Sequence, residues 1–112
     1  MNISLVEDSE QYFKIFSNKD LSSLEKVFSM DVSLRDWEIE AKGLEEVLKA
    51  NEKIFESVDS IHVNPLRIYN NERTVIAELE IDINRGKEVL FVVDFIEWNN
   101  NGKISAIRAY KG

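Results

Sequence analysis

Cysteine is absent from the 112 residues, which excludes disulfides, thiolate nucleophiles and cysteine-ligated zinc. Proline occurs once, at Pro65, and the four glycines are scattered, so no linker, repeat or low-complexity segment divides the chain. Histidine also occurs once, at His62. One imidazole among dispersed carboxylates has no metal-ligand spacing, and no metal or cofactor is expected. Basic residues are in deficit: 14 Lys and Arg against 21 Asp and Glu leave a net charge of −7. Nucleic-acid binding runs on cationic patches, so no nucleic-acid partner is expected. No apolar run approaches the ~20 residues that span a bilayer. The opening Met1-Asn2-Ile3-Ser4-Leu5-Val6-Glu7-Asp8 has no basic n-region and no long apolar stretch, so the expectation is a cytoplasmic protein without a signal peptide or membrane partner.

Hydrophobic residues make up 44% and aromatics 10%, enough to build a core and to argue against global disorder. The length suggests one domain over residues 1–112. Helical spacing predicts a first helix over about Leu5 to Phe16, with Leu5, Ser9, Tyr12, Phe13 and Phe16 on one face. Asn18-Lys19-Asp20 breaks it, and Asp20 is a suitable N-cap for a second helix carrying Leu21, Leu24, Val27 and Phe28 inward. A short strand from Val32 to Trp37 follows, with Val32, Leu34 and Asp36 on one face. Gly43 then opens a third helix whose buried stripe is Leu44, Val47, Leu48, Ile54, Phe55 and Val58. The rest reads as sheet. Ile61 to Tyr69 is a strand that Pro65 confines to an edge or a bulge. Tyr69 to Glu72 turns, and Thr74 to Asn84 alternates, with Val75, Ala77, Leu79, Ile81 and Ile83 facing Glu78, Glu80 and Asp82 across the strand. Val89 to Trp98 is apolar on both faces and therefore central. Lys103 to Lys111 is the last strand. Helices followed by strands make an α+β fold.

One acid, Asp94, lies inside the most apolar run, Val89-Leu90-Phe91-Val92-Val93-Asp94-Phe95-Ile96. An ionised carboxylate there is costly unless it is paired or neutralised, and burial pushes its pKa upward. Register predicts its direction. With Arg85-Gly86 as a two-residue hairpin tip, Asp94 opposes Ala77, Val92 opposes Leu79 and Leu90 opposes Ile81. A four-residue turn over Asn99 to Gly102 sets Asp94 against Ile107 and Val92 against Ala109. Asp94 then points into an apolar concavity, and a one-residue bulge in either turn reverses it.

The stretch Tyr12-Phe13-Lys14-Ile15-Phe16-Ser17-Asn18-Lys19-Asp20-Leu21, with Val27-Phe28-Ser29-Met30-Asp31-Val32-Ser33-Leu34-Arg35-Asp36, resembles the opening of bacterial ketosteroid isomerases. Val92-Val93-Asp94-Phe95-Ile96-Glu97-Trp98, with Asn101-Gly102-Lys103-Ile104 and Ala109-Tyr110, resembles their last two strands. The resemblance covers nearly the whole chain and points to the NTF2-like superfamily, which includes SnoaL-like proteins. It implies a cone: three N-terminal helices packed on a strongly curved, mostly antiparallel sheet around a pocket. It also implies an oxyanion-hole role for Tyr12, a protonated donor role for Asp94, a general-base role for Asp36, and dimerisation through the sheet, for which Phe91, Val93 and Phe95 are the outward apolar positions. The chain departs from the isomerase pattern at Trp37, where proline is usual, and at Lys111, where a pocket tryptophan is common. A lysine at the pocket mouth suggests an anionic or more polar ligand, or is a surface lysine.

The plainer readings are structural. Tyr12 is then a core tyrosine, Asp36 a capping or solvated residue at a strand end, His62 an exposed edge-strand residue, and Trp98 and Tyr110 packing residues. Three functions follow: a cofactor-free isomerase or cyclase acting by proton transfer on a small apolar or amphipathic carbonyl compound, a non-catalytic ligand-binding protein, and a homodimeric association module.

Overall fold

The computed structural model describes residues 4–112. Its helices begin where side chains can cap them. Ser4 Oγ accepts from the Glu7 N–H at 3.1 Å and opens α1, Leu5–Ser17. The Asp20 carboxylate accepts from the Ser23 N–H, also at 3.1 Å, and opens α2, Leu21–Val27. The chain passes from α2 directly into β1, Phe28–Arg35, so the strand begins four residues before the patterning suggests, and Phe28 is buried in the strand rather than on the helix. A three-residue strand β2, Glu40–Lys42, adds to the elements that patterning predicts. Gly43, at φ 88°, takes the left-handed backbone that joins β2 to α3, Leu44–Glu56. The third helix therefore follows two strands, and the helices are not all N-terminal to the sheet.

The remaining strands are β3 (Ile61–Asn71), β4 (Thr74–Ile83), β5 (Glu88–Trp98) and β6 (Ile104–Lys111). The six-stranded open sheet runs β2-β1-β6-β5-β4-β3, antiparallel except where β1 and β6 pair in parallel. Pro65 lies on edge strand β3, beside a register shift between Pro65 and Arg67, as its missing donor requires. Beyond Asn71 the turn is Glu72-Arg73, with β3 continuing through Tyr69 and Asn70.

The β4–β5 hairpin has the expected register, with Ala77 opposite Asp94, Leu79 opposite Val92 and Ile81 opposite Leu90. Arg85 and Gly86, at φ 56° and 86°, supply the positive dihedrals that a tight hairpin tip needs. The β5–β6 pairing differs: Asp94 opposes Ala109, Ile96 opposes Ile107 and Val92 opposes Lys111. Two deviations add. Asn99 Oδ1 accepts from the N–H groups of Asn101 and Lys103, at 2.9 and 3.0 Å, and lengthens the loop through Lys103. A bulge next to Glu97 and Trp98 then accommodates Ser105. Each shifts register by one residue. Together they restore the side-chain parity, so Asp94 keeps its inward direction.

The inner face of the sheet packs against the helices through Val75, Leu79, Ile96 and Ile107 from the strands and Phe13, Leu24, Val47 and Phe55 from the helices, all buried. Trp98 donates from Nε1 to Ser9 Oγ at 3.1 Å, which satisfies two buried polar groups at once. Tyr110 is 55% exposed on the outer face, where its ring meets Phe95 edge-on at 5.9 Å. No described helix is long and apolar enough to cross a membrane.

Candidate functional site

A pocket of about 570 Å³ lies between the helices and the inner face of β3 to β6. That volume is within the range of small-molecule sites. Ile54 of α3, Val63 of β3, Leu79 and Ile81 of β4, Leu90 and Val92 of β5 contribute its apolar walls.

Tyr12 reaches the pocket from α1. Its ring packs among Phe13, Phe16 and Phe28, with centroids 5.5, 6.3 and 6.1 Å away. Ser17, five residues on, fixes α1 to the edge of the sheet: its Oγ donates to the Phe13 carbonyl at 2.8 Å and accepts from the Val63 N–H at 2.9 Å. An edge-strand donor that β4 cannot reach is thereby satisfied, and the helix that carries Tyr12 is held at a set height above β3. Asp94 stands on central β5 and faces the same space, flanked by Ala77 and Ala109, whose small side chains leave room around it. Asp36 follows the last residue of β1. Its Oδ1 accepts from the N–H groups of Glu38 and Ile39, at 2.7 and 2.6 Å, while its own N–H donates to the Ile39 carbonyl at 2.9 Å. The Asp36 carboxylate thus builds the turn that returns the chain to β2 and also lines the pocket.

The three residues are electrostatically linked. Burial pushes the Asp94 carboxyl up to about 7, and the Asp36 carboxylate adds to the rise. Burial likewise drives the Tyr12 phenol far above its ordinary value, with Asp94 contributing. Tyr12 and Asp94 are 6% and 9% exposed. Among the described residues neither side chain makes a hydrogen bond to protein, yet no buried polar atom is left enclosed without a partner. Their polar atoms therefore open onto the pocket. A phenol and a carboxyl near neutrality in an apolar cavity can both donate to one acceptor.

Asn51 is not among the apolar residues that hydrophobic spacing marks on α3. It sits on α3 midway between Val47 and Phe55 on the buried face, is 3% exposed and lines the pocket, with Nδ2 donating to the Val47 carbonyl at 2.8 Å. The signal was an amide inside an apolar helical stripe. Lys111 also lines the pocket, with its Nζ over the Trp37 ring at 5.7 Å from the centroid. His62 is exposed on β3 and does not line it. Among the described residues no three His, Asp or Glu side chains converge to hold a metal.

Residues 9–107 match the model of the SnoaL-like domain. No curated protein matches the sequence. An NTF2-like protein of unknown function from Cytophaga hutchinsonii superposes with a TM-score of 0.81 at 11% identity, over 100% of this chain and 93% of the other. An LEH-like epoxide hydrolase from M. tuberculosis superposes with a TM-score of 0.78 at 17% identity, over 93% and 79%. A protein from Kribbella flavida, provisionally named a ketosteroid isomerase, superposes with a TM-score of 0.77 at 17% identity, over 93% and 74%. At these identities the likeness is one of fold, and one scaffold carries several chemistries.

Proposed function

The chain belongs to the family of SnoaL-like domains, and from that premise we propose that it is a cofactor-free isomerase or cyclase that moves a proton on a small apolar or amphipathic carbonyl compound. The supporting observation is the pair of unpartnered donors, Tyr12 and Asp94, buried in the pocket wall. The substrate carbonyl accepts from both. As the α-proton leaves, negative charge grows on that oxygen, and two preorganised donors in an apolar site stabilise it more than they stabilise the ground state. Asp36 is the base. Its Oδ1 is engaged by the turn, so the carbon-bound proton goes to Oδ2 and is returned from there to a second carbon, or the enolate carbon adds to a second carbonyl of the same molecule to close a ring and the new alkoxide takes that proton. Asp94 serves as a donor only when protonated. A ligand that displaces pocket water deepens its desolvation and favours that form.

Turnover of a panel of enones and β-dicarbonyl compounds tests this reading. Asp36→Ala is expected to lower kcat by about 10²-fold or more. Tyr12→Phe is expected to lower kcat with little change in KM, because the donor matters most to the developing oxyanion. Unchanged turnover in both variants sinks the mechanism.

One observation favours a second reading, a ligand-binding protein without turnover. Asp36 already has a structural task, because two backbone N–H groups of its turn occupy one carboxylate oxygen. In that case the Tyr12 and Asp94 variants weaken ligand-induced thermal stabilisation while no enone is consumed. Under either reading the outward Phe91, Val93 and Phe95 side chains suit a homodimer interface.

A further inference from the structure

The charged residues of the pocket are unbalanced. Among the described residues Asp36, Glu38, Glu88 and Asp94 line it, against Lys111 as the single cation. The cations next to them in sequence, Arg35 and Lys87, do not line it. Among the described residues, none of these four acids forms a salt bridge; both ion pairs, Arg67 with Glu78 and Arg108 with Glu97, lie elsewhere. Lys111 is not drawn to any of them within bonding distance. Its ammonium lies on the face of Trp37, a residue 41% exposed at the mouth. An aromatic face in a pocket that also carries carboxylates is the recognition chemistry of an ammonium group, and the chain's own lysine occupies that face.

The depth of the pocket is different in kind. Asp94 is more than nine-tenths buried, has no hydrogen-bond partner among the described residues and opens onto the cavity. Aliphatic side chains, Ile54, Leu79, Ile81, Leu90 and Val92 among them, make up much of the pocket wall. Polar demand thus exists at two ends: hydrogen-bond donors inside, unpaired negative charge and an aromatic face outside.

We propose that the pocket takes a cationic amphiphile, with its apolar, oxygen-bearing end at Tyr12 and Asp94 and a protonated amine at the mouth against Trp37, Glu38 and Glu88. This rests on the reading of the pocket as a small-molecule site. It reverses what a lone lysine at the mouth suggests from sequence, because Lys111 is outnumbered and competes for the Trp37 face instead of supplying an anion site. An anionic ligand would enter against the Asp36, Glu38 and Glu88 carboxylates and gain one ammonium.

Calorimetric titration with a phenylalkyl amine, the alcohol and the carboxylate of the same carbon count, at pH 6 and low salt, tests the assignment. The amine is expected to bind about tenfold more tightly than the carboxylate, with the alcohol between, and the difference is expected to shrink as salt screens the rim. Lys111→Met is expected to tighten the amine several-fold by freeing Trp37. Glu38→Gln with Glu88→Gln is expected to bring the amine down to the alcohol. The proposal is overturned if the carboxylate binds as tightly as the amine, if amine and alcohol bind equally, or if Lys111→Met weakens the amine. If none of the three binds at millimolar concentration, the pocket reading falls with it, whereas loss of the amine preference alone leaves that reading intact. Proton transfer is judged separately, by Asp36→Ala turnover.

Discussion

Asp94 and Glu97 stand three residues apart on β5, on opposite faces of the sheet, and their surroundings push them in opposite directions. Glu97 accepts from Arg108 at 2.7 Å and from Thr74 Oγ1 at 3.1 Å, and the Arg108 hydrogen bond leads in lowering its pKa. Asp94 has neither partner, and burial lifts it to about 7. The outer face treats charge as a surface does, by pairing it near water. The inner face keeps a carboxyl unpaired in a cavity. Natural cores seldom leave a buried acid in that state, and perturbed groups of this kind concentrate at sites that bind or react. The difference between two acids on one strand marks the candidate site more sharply than the fold does.

The largest expected effect comes from removing the inner acid. Asp94 has a folded pKa of about 7 against an ordinary 3.8. Below about pH 4 the acid is protonated folded or unfolded, and it contributes no penalty. Between pH 4 and 7 the unfolded chain releases the proton first, so stability falls as pH rises, by a total of about 4 kcal/mol. Asp94→Asn is therefore expected to be more stable than the parent at pH 8 and nearly equal to it at pH 4, read by urea denaturation at both. Equal stability at pH 8 would mean that the carboxylate is solvated.

The next effect separates packing on the two faces. Ile96→Ala, at a fully buried inner position, is expected to cost about 3 kcal/mol by leaving a cavity. Phe91→Ala, at a position 54% exposed on the outer face, is expected to change monomer stability by about 0.5 kcal/mol or less. If the outer face is a dimer interface, Phe91→Glu lowers the sedimentation coefficient at micromolar concentration while the unfolding midpoint of the monomer holds. A large loss of stability in Phe91→Ala would erase the contrast between the faces.

How much of this was legible depends on where the determining force is local. The alternation Val75-Ala77-Leu79 and the Arg85-Gly86 tip fix the β4–β5 register from sequence, because side-chain period and hairpin geometry are both short-range. The inward direction of Asp94 follows from them. The β5–β6 register is set by Asn99 Oδ1, which accepts from two backbone N–H groups, and by a bulge, and neither leaves a mark in hydrophobic pattern. Strand β2 is three residues long and exists because Leu34 and Arg35 offer it an edge, so no local propensity announces it. The turn role of Asp36 was one of two alternatives, and its two N–H donors make it structural at least in part. Asn51 was legible in principle, as the amide at i+4 from Val47 and i−4 from Phe55. The contact between Trp37 and Lys111 joins residues far apart in the chain and could come only from the fold.

The smallest expected effect is on the outer acid, and its sign completes the contrast. Glu97 has its pKa held below the usual 4.5. Its stabilising contribution is therefore full above that value and is lost as pH falls through the lowered folded pKa, the reverse of Asp94. The Arg108 and Glu97 side chains are 38% and 36% exposed, so water and salt screen the pair and its worth is expected to stay below about 1 kcal/mol. Glu97→Gln should lower stability slightly at pH 7, by less in high salt, and should flatten the decline below pH 4.5 without touching the decline between pH 4 and 7. Asp94→Asn should do the opposite. If Glu97→Gln instead flattened the neutral limb, the titrating group there would not be Asp94, and the assignment of the inner face as the chemically primed one would fail.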